Sequence, residues 1–430
     1  MTYEETLDYL YTSTPVFEHV GASAYKPGLQ TTEALDRHYG QPHRHYMTLH
    51  VAGTNGKGST SHTLAAILQT AGLRVGLYTS PHLVDFRERI RVNGECISKE
   101  RVISFVEDFR EWNTTLQPSF FELTTALAFK YFEEQKVDIA VIEVGLGGRL
   151  DSTNIIRPRL SVITNISFDH TQFLGNTLAE IAAEKAGIIK QSVPVVIGET
   201  TPETRPVFLQ KAQEQKAPII FAEELPAPPH RLQEAFELKG SYQHKNLKTI
   251  LCALEVISKE LPEIKHYLEK PEALPFALSH VSTLTGLRGR WETLQKSPLV
   301  VCDTGHNLAG WQYLAPQIKA QPADELRLVF GMVDDKDIDG VLALLKEISL
   351  ARPVHFYFTQ ASTHRAIPAT KVAEKALAMG IPGCVYDSVA KAYRAALDEA
   401  ADDDFIFVGG SSYVVADLLT ELTPSETCTS

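Results

Sequence analysis

Residues 53–59 read Gly-Thr-Asn-Gly-Lys-Gly-Ser, a spacing suited to holding phosphate. Gly53, Gly56 and Gly58 let the backbone come close to a ligand, and the successive N–H groups of Thr54, Asn55 and their neighbours can cradle phosphate oxygens. Lys57 can neutralise terminal phosphates, and a helix opening near Ser59 would add the positive end of its dipole. The run departs from a strict Walker A sequence: Val51 stands where the first Gly is expected, Gly58 follows the lysine, and the hydroxyl arrives one residue late at Ser59. The apolar strand before it and the helical spacing after it, with Leu64, Ile67, Leu68 and Ala71 on one apolar face, favour a phosphate loop over an ordinary glycine turn.

Three later polar residues stand at or near the ends of apolar runs: Ser80 closing 74–80, Glu143 within 137–145, and His170 after 160–167. Parallel strands would gather such positions around a phosphate-bound Mg²⁺. Glu143 is the firmest of these metal ligands, because a carboxylate inside Ile-Ala-Val-Ile-Glu-Val is costly to bury without a cation. His170 reads equally as a core or hydrogen-bonding histidine, and Asp169 beside it is a rival ligand. Ser80 serves as well to cap the turn before Pro81. Lys185 follows Glu184 near a helix C-terminus, where a lysine is commonly exposed or ion-paired; conversion of its amine to a carbamate would instead make it a metal-seeking carboxylate.

The elements that must position these groups alternate strand and helix. Apolar runs at 45–53, 74–80, 137–145, 160–167 and 193–198, with helical patterns at 120–135 and 176–187, predict an α/β sheet covered on both faces. After a Pro- and charge-rich passage at 223–240 the alternation resumes with strands expected at 298–303, 326–331, 354–359 and 404–410. The fold class is therefore α/β: a P-loop NTPase-like domain over 1–296 followed by a smaller Rossmann-like domain over 297–430. A length of 430 residues fits two cores better than one.

A net charge of −12 argues against a broad nucleic-acid or anionic-membrane surface. No apolar run is long enough to span a bilayer, and the acidic first residues lack the pattern of a secretory signal, so a cytoplasmic location is expected. Cys96, Cys252, Cys302, Cys384 and Cys428 are scattered without paired spacing, as expected of reduced thiols.

Taken together, the ordered motifs resemble the folylpolyglutamate synthase and dihydrofolate synthase family, relatives of bacterial cell-wall amino-acid ligases. They are GTNGKGS at 53–59, TSPHL at 79–83, EVGLGGRLDSTN at 143–154, DHTQFLG at 169–175, EKAGI at 184–188, GRW at 289–291, DTGHN at 303–307 and GGS at 409–411. The resemblance implies an ATP- and Mg²⁺-dependent ligase that activates a carboxylate as an acyl phosphate and joins it to L-glutamate. The carboxylate belongs to dihydropteroate or a reduced folate. It implies Lys57 as phosphate lysine, Ser80, Glu143 and His170 as magnesium sites, and Lys185 as a carbamylated lysine. Asn246, Arg290 and Asp303 match nucleotide positions. His306 matches a catalytic one, and Asn307 completes its motif, although that motif reads Asp-Thr-Gly-His-Asn here where the family has Asp-Gly-Ala-His-Asn. His82, Phe86, Arg87, Arg89, Arg149 and Asp151 fall on the folate side, while Lys336 and Arg365 are possible anion contacts or solvated charges. The partners implied are small molecules, with no nucleic acid or membrane, and a monomer is the default. Two other readings stay open: a ligase acting on a UDP-sugar peptide, and a nucleotide-dependent switch without ligase chemistry.

Overall fold

In the computed structural model, residues 1–12, 14, 28–112 and 114–423 are described. They form two compact units, one of residues 1–82, 86–237 and 243–287, the other of 83–85, 238–242 and 288 onward.

The first unit is built on eight strands: β1 (Met47–Ala52), β2 (Val75–Tyr78), β3 (Ile90–Val92), β4 (Glu95–Cys96), β5 (Ile139–Glu143), β6 (Leu160–Ile163), β7 (Val195–Ile197) and β8 (Ile219–Phe221). Their order is β4-β3-β2-β5-β1-β6-β7-β8. β2, β5, β1, β6, β7 and β8 run parallel, and the hairpin-like β3 and β4 continue the sheet antiparallel. β1 and β5 lie at the centre, and every residue of Ile139–Glu143 is buried, as a sheet covered on both faces requires. The five expected strands are present; β3, β4 and β8, of two or three residues each, were not anticipated.

One helix departs from the amphipathic expectation. Lys57–Thr70 begins two residues before Ser59 and buries all ten residues from Ser59 to Leu68 rather than one apolar face. The helices Gln243–Ile257, Ala273–Leu278 and Val281–Thr285 pack over it. This explains why Ser59, Thr60, Ser61, His62 and Thr63 occupy what a surface helix would give to water.

The second unit has six strands: β9 (Glu292–Lys296), β10 (Leu299–Asp303), β11 (Leu326–Phe330), β12 (Val354–Phe358), β13 (Cys384–Val385) and β14 (Phe405–Gly409). They are ordered β13-β12-β11-β14-β10-β9, all parallel except the edge strand β9. The four expected strands form its middle. The core beneath is dominated by Trp311, Phe330, Phe358 and Phe405. Cys96, Cys252, Cys302 and Cys384 are not in disulfides, and Cys428 lies outside the described residues. No helix among the described residues is long and apolar enough to cross a membrane.

Candidate active site

The expected phosphate loop, residues 53–59, leaves the carboxyl end of β1. Gly53 (φ +144°) and Gly56 (φ +83°) adopt backbone that favours glycine, and a Cβ at either would collide, 1.8 Å from Thr164 Oγ1 or 2.3 Å from Asn246 Oδ1. The loop is clamped to the segment after β6. Thr54 N donates to the Asn165 carbonyl at 2.9 Å, Asn55 N to Asn165 Oδ1 at 3.0 Å, and Thr164 Oγ1 to the Asn55 carbonyl at 2.6 Å. Lys57 Nζ folds back on the Thr54 carbonyl at 3.2 Å. Gly56 caps the following helix without a side-chain bond, so the first-turn amides are not taken by a cap. Thr164 and Asn165 went unremarked in the sequence; a polar pair at the end of an apolar strand was the available signal.

Two expected metal positions come together where β2 and β5 end. Ser80 N donates to Glu143 Oε2 at 3.3 Å, and Glu143 is 4 % exposed. Both offer oxygen, which suits Mg²⁺. His170 (φ +48°) opens the short helix Thr171–Leu174, with its ring Nε2 3.8 Å from Asp169 Oδ1. Among the described residues no three His, Cys, Asp or Glu side chains converge as a metal cage; a ligand set drawn from this centre therefore needs the serine hydroxyl, a modified lysine or phosphate oxygens.

Lys185 is buried, and its Nζ donates to the Gly53 carbonyl at 2.9 Å. Burial pushes its ammonium from 10.5 down to about 7; the like charge of Lys57 adds to the fall, while Asp169 and Asp151 oppose it. The ion pair expected beside it belongs instead to Glu184, which holds Arg149 at 2.8 Å. An amine so placed, in contact with the phosphate loop, can be neutral and nucleophilic near neutrality.

His82, Phe86 and Arg89, expected on the folate side, form one cluster with Phe120. Arg89, 1 % exposed, donates from Nε to His82 Nδ1 at 2.7 Å and lies 5.1 Å over the Phe120 ring. Phe86 meets Phe120 edge-on at 5.9 Å, and Arg87 stands 5.9 Å over Tyr3. Asp151 is turned inward: it accepts from Leu146 N at 2.8 Å and Thr153 N at 3.0 Å and caps the turn Ser152–Ile155. Burial raises its carboxyl above the usual range, against those hydrogen bonds. Asn246, buried on the helix Gln243–Ile257, faces Gly56.

The second unit carries a separate cluster at the end of β10. Asp303 accepts from Trp291 N and Tyr242 Oη, both at 2.7 Å, and from Gly305 N at 2.8 Å. Burial raises its carboxyl, and Arg290 is the largest opposing influence. Asn307 caps the helix Leu308–Lys319 through Gly310 N at 2.9 Å. His306 Nδ1 lies 3.1 Å from the Thr304 carbonyl, which can only accept, so this contact is a hydrogen bond when Nδ1 carries a proton. Arg365 pairs with Asp335 at 2.7 Å, and Lys336 lies 3.9 Å from the same carboxylate.

Residues 51–251 match the Mur ligase middle domain and residues 289–412 the Mur ligase, glutamate ligase domain. A dihydrofolate synthase/folylpolyglutamate synthase of Bacillus subtilis is 36% identical, over 92% of this chain and 95% of its own. Among solved structures, E. coli FolC in complex with DHPP and ADP superposes with a TM-score of 0.81 at 30% identity, covering 98% of both chains. A bifunctional folylpolyglutamate synthase/dihydrofolate synthase with Mn, AMPPNP and L-glutamate bound gives the same TM-score and identity over 98% of both chains.

Proposed function

The chain belongs to the dihydrofolate synthase/folylpolyglutamate synthase family, and on that premise we propose that it performs both glutamate additions, to dihydropteroate and to reduced folates. It is an ATP-dependent glutamate ligase whose cofactors are ATP and a divalent metal, and its likeness over most of its length to dihydrofolate synthase/folylpolyglutamate synthases favours neither the switch nor the UDP-sugar reading. The observation that carries the chemistry is the gathering of phosphate loop, Ser80, Glu143 and buried Lys185 around the ends of β1, β2 and β5.

A carboxylate is a poor electrophile because its leaving group would be oxide. Transfer of the terminal phosphoryl group of ATP to a carboxylate oxygen breaks the bond to ADP and forms an acyl phosphate. The amine of L-glutamate then attacks the carbonyl carbon, loses a proton, and expels inorganic phosphate to leave an amide. Lys57 and the amides of residues 53–59 hold the phosphates and stabilise the charge that moves onto the leaving ADP. When bound, a divalent cation supplies further neutralisation of phosphate charge. Ser80, Glu143, His170 and Lys185 would hold it, Lys185 as its carbamate. Asn246, Arg290 and Asp303 serve the nucleotide, and His82, Phe86, Arg87, Arg149 and Asp151 line or support the folate side. With the proton on Nδ1, Nε2 of His306 is suited to take the proton of the incoming amine. We assign the phosphate loop and the folate function to 1–296, the glutamate function together with the nucleotide contact of Asp303 to 297–430, and the enzyme to the cytoplasm as a monomer.

Mass spectrometry of separate reactions containing Mg-ATP, L-glutamate and either dihydropteroate or tetrahydrofolate tests the bifunctional assignment. A one-glutamate adduct from both acceptors is expected; product from one alone would restrict the enzyme to that reaction.

A further inference from the structure

We propose that Gln243 is a positioning residue for nucleotide binding, holding the Ser59 hydroxyl by an amide relay that begins at Asn246. The proposal rests on residues 53–59 being the ATP phosphate loop. Gln243 opens the helix Gln243–Ile257 and is 1 % exposed. Its Nε2 donates to Ser59 Oγ at 3.0 Å across 184 residues of sequence, and its Oε1 accepts from Asn246 Nδ2 at 2.8 Å. Ser59 and Asn246 are themselves buried. Nothing in the sequence marked this glutamine except its place three residues before Asn246.

The direction of the relay matters. An amide NH₂ only donates, so Asn246 Nδ2 fixes Gln243 Oε1 toward itself and leaves Gln243 Nε2 to face the serine. Ser59 therefore receives a hydrogen bond on its oxygen, and its own proton remains for an acceptor such as a phosphate oxygen. Asn246 is held against the loop at its other end, where its Oδ1 lies so close to Gly56 that no Cβ fits between them. The three side chains thus tie the helix Gln243–Ile257 to the phosphate loop and to the first turn of the helix Lys57–Thr70, in a water-poor setting where a lost partner is costly.

The test compares Gln243→Leu, Ser59→Ala and the double variant in KM for ATP, KM for L-glutamate, kcat and melting temperature. If Gln243 acts through Ser59, each single change raises the ATP KM by about tenfold, as loss of one buried hydrogen bond would. The double variant then stays near the single ones, and the glutamate KM moves less than about twofold. Multiplying effects in the double variant, an unchanged ATP KM, or equal rises for ATP and glutamate would overturn the proposal. Gln243→Glu covers the case in which the leucine variant does not fold. It keeps the volume but, as a carboxylate, accepts the Ser59 proton, so a raised ATP KM is expected and a wild-type one would contradict the relay. Absence of ADP formation by the unmodified enzyme would instead overturn the phosphate-loop reading on which the proposal stands.

Discussion

Lys185 shows what a residue type alone conceals. From the sequence it reads either as an exposed or paired lysine, since its neighbour is Glu184 and its helix is ending, or as a carbamylated metal ligand; the resemblance to a ligase family favoured the second. The structure sends the ion pair to Arg149 and turns Lys185 onto the Gly53 carbonyl. Its amine titrates near 7 in the folded protein but near 10.5 when unfolded. Between those values the unfolded chain holds the extra proton, so in CO₂-free buffer stability should rise from pH 7 toward pH 10, read as the urea midpoint. Carbamate formation consumes the neutral amine and CO₂ and releases a proton, so at fixed CO₂ pressure the carbamate carbonyl signal from ¹³C-labelled CO₂ should fade as pH drops below about 7. A signal unchanged down to pH 5.5, or retained in Lys185→Ala, would exclude carbamylation of this residue. Gly56 makes the opposite point, because its backbone was legible: glycine in such a turn signals a close approach, and its φ of +83° beside Asn246 leaves no room for a side chain. Gly56→Ala should raise the ATP KM by more than about tenfold, since the added methyl meets Asn246 in a left-handed backbone; an ATP KM within twofold of wild type would contradict that assignment.

At the scale of elements, the long apolar strands β1, β5, β6, β10, β11, β12 and β14 announced themselves because burial on both faces leaves little room for polar residues. The short edge strands did not, and the helix Lys57–Thr70 was read as one-sided because tertiary cover is invisible in local periodicity. The same helix is why Gln243 was missed: its partner lies far away in the chain. Helix starts carry clearer marks. Ser119 and Glu122 form a capping box at the head of Phe120–Glu134, the helix that supplies Phe120 to the cluster of His82, Phe86 and Arg89. Ser119→Ala should cost about 1 kcal/mol of stability by urea titration. Gly76 on β2 has a different constraint, a Phe132 ring 2.8 Å from any added Cβ. Gly76→Ala should destabilise by about 1–3 kcal/mol through overpacking, with little change in the KM for glutamate; a neutral result would mean that the ring has room to move.

For the whole molecule, two α/β units each carry a polar cluster beside strand ends, the phosphate loop and Glu143 in one, Asp303 and its partners in the other. The net charge of −12 suits an enzyme whose anionic ligands are held by local amides and single cations rather than by a basic surface. Such a division fits a reaction that must first phosphorylate a carboxylate and then present it to an amine, since the acyl phosphate is lost if water reaches it first. The direct test is to follow oxygen. With dihydropteroate labelled with ¹⁸O in its carboxylate, together with ATP and L-glutamate, the account predicts one ¹⁸O atom in each inorganic phosphate released, detected by ³¹P NMR, in step with amide formation. Amide formed with unlabelled phosphate would contradict an acyl-phosphate route.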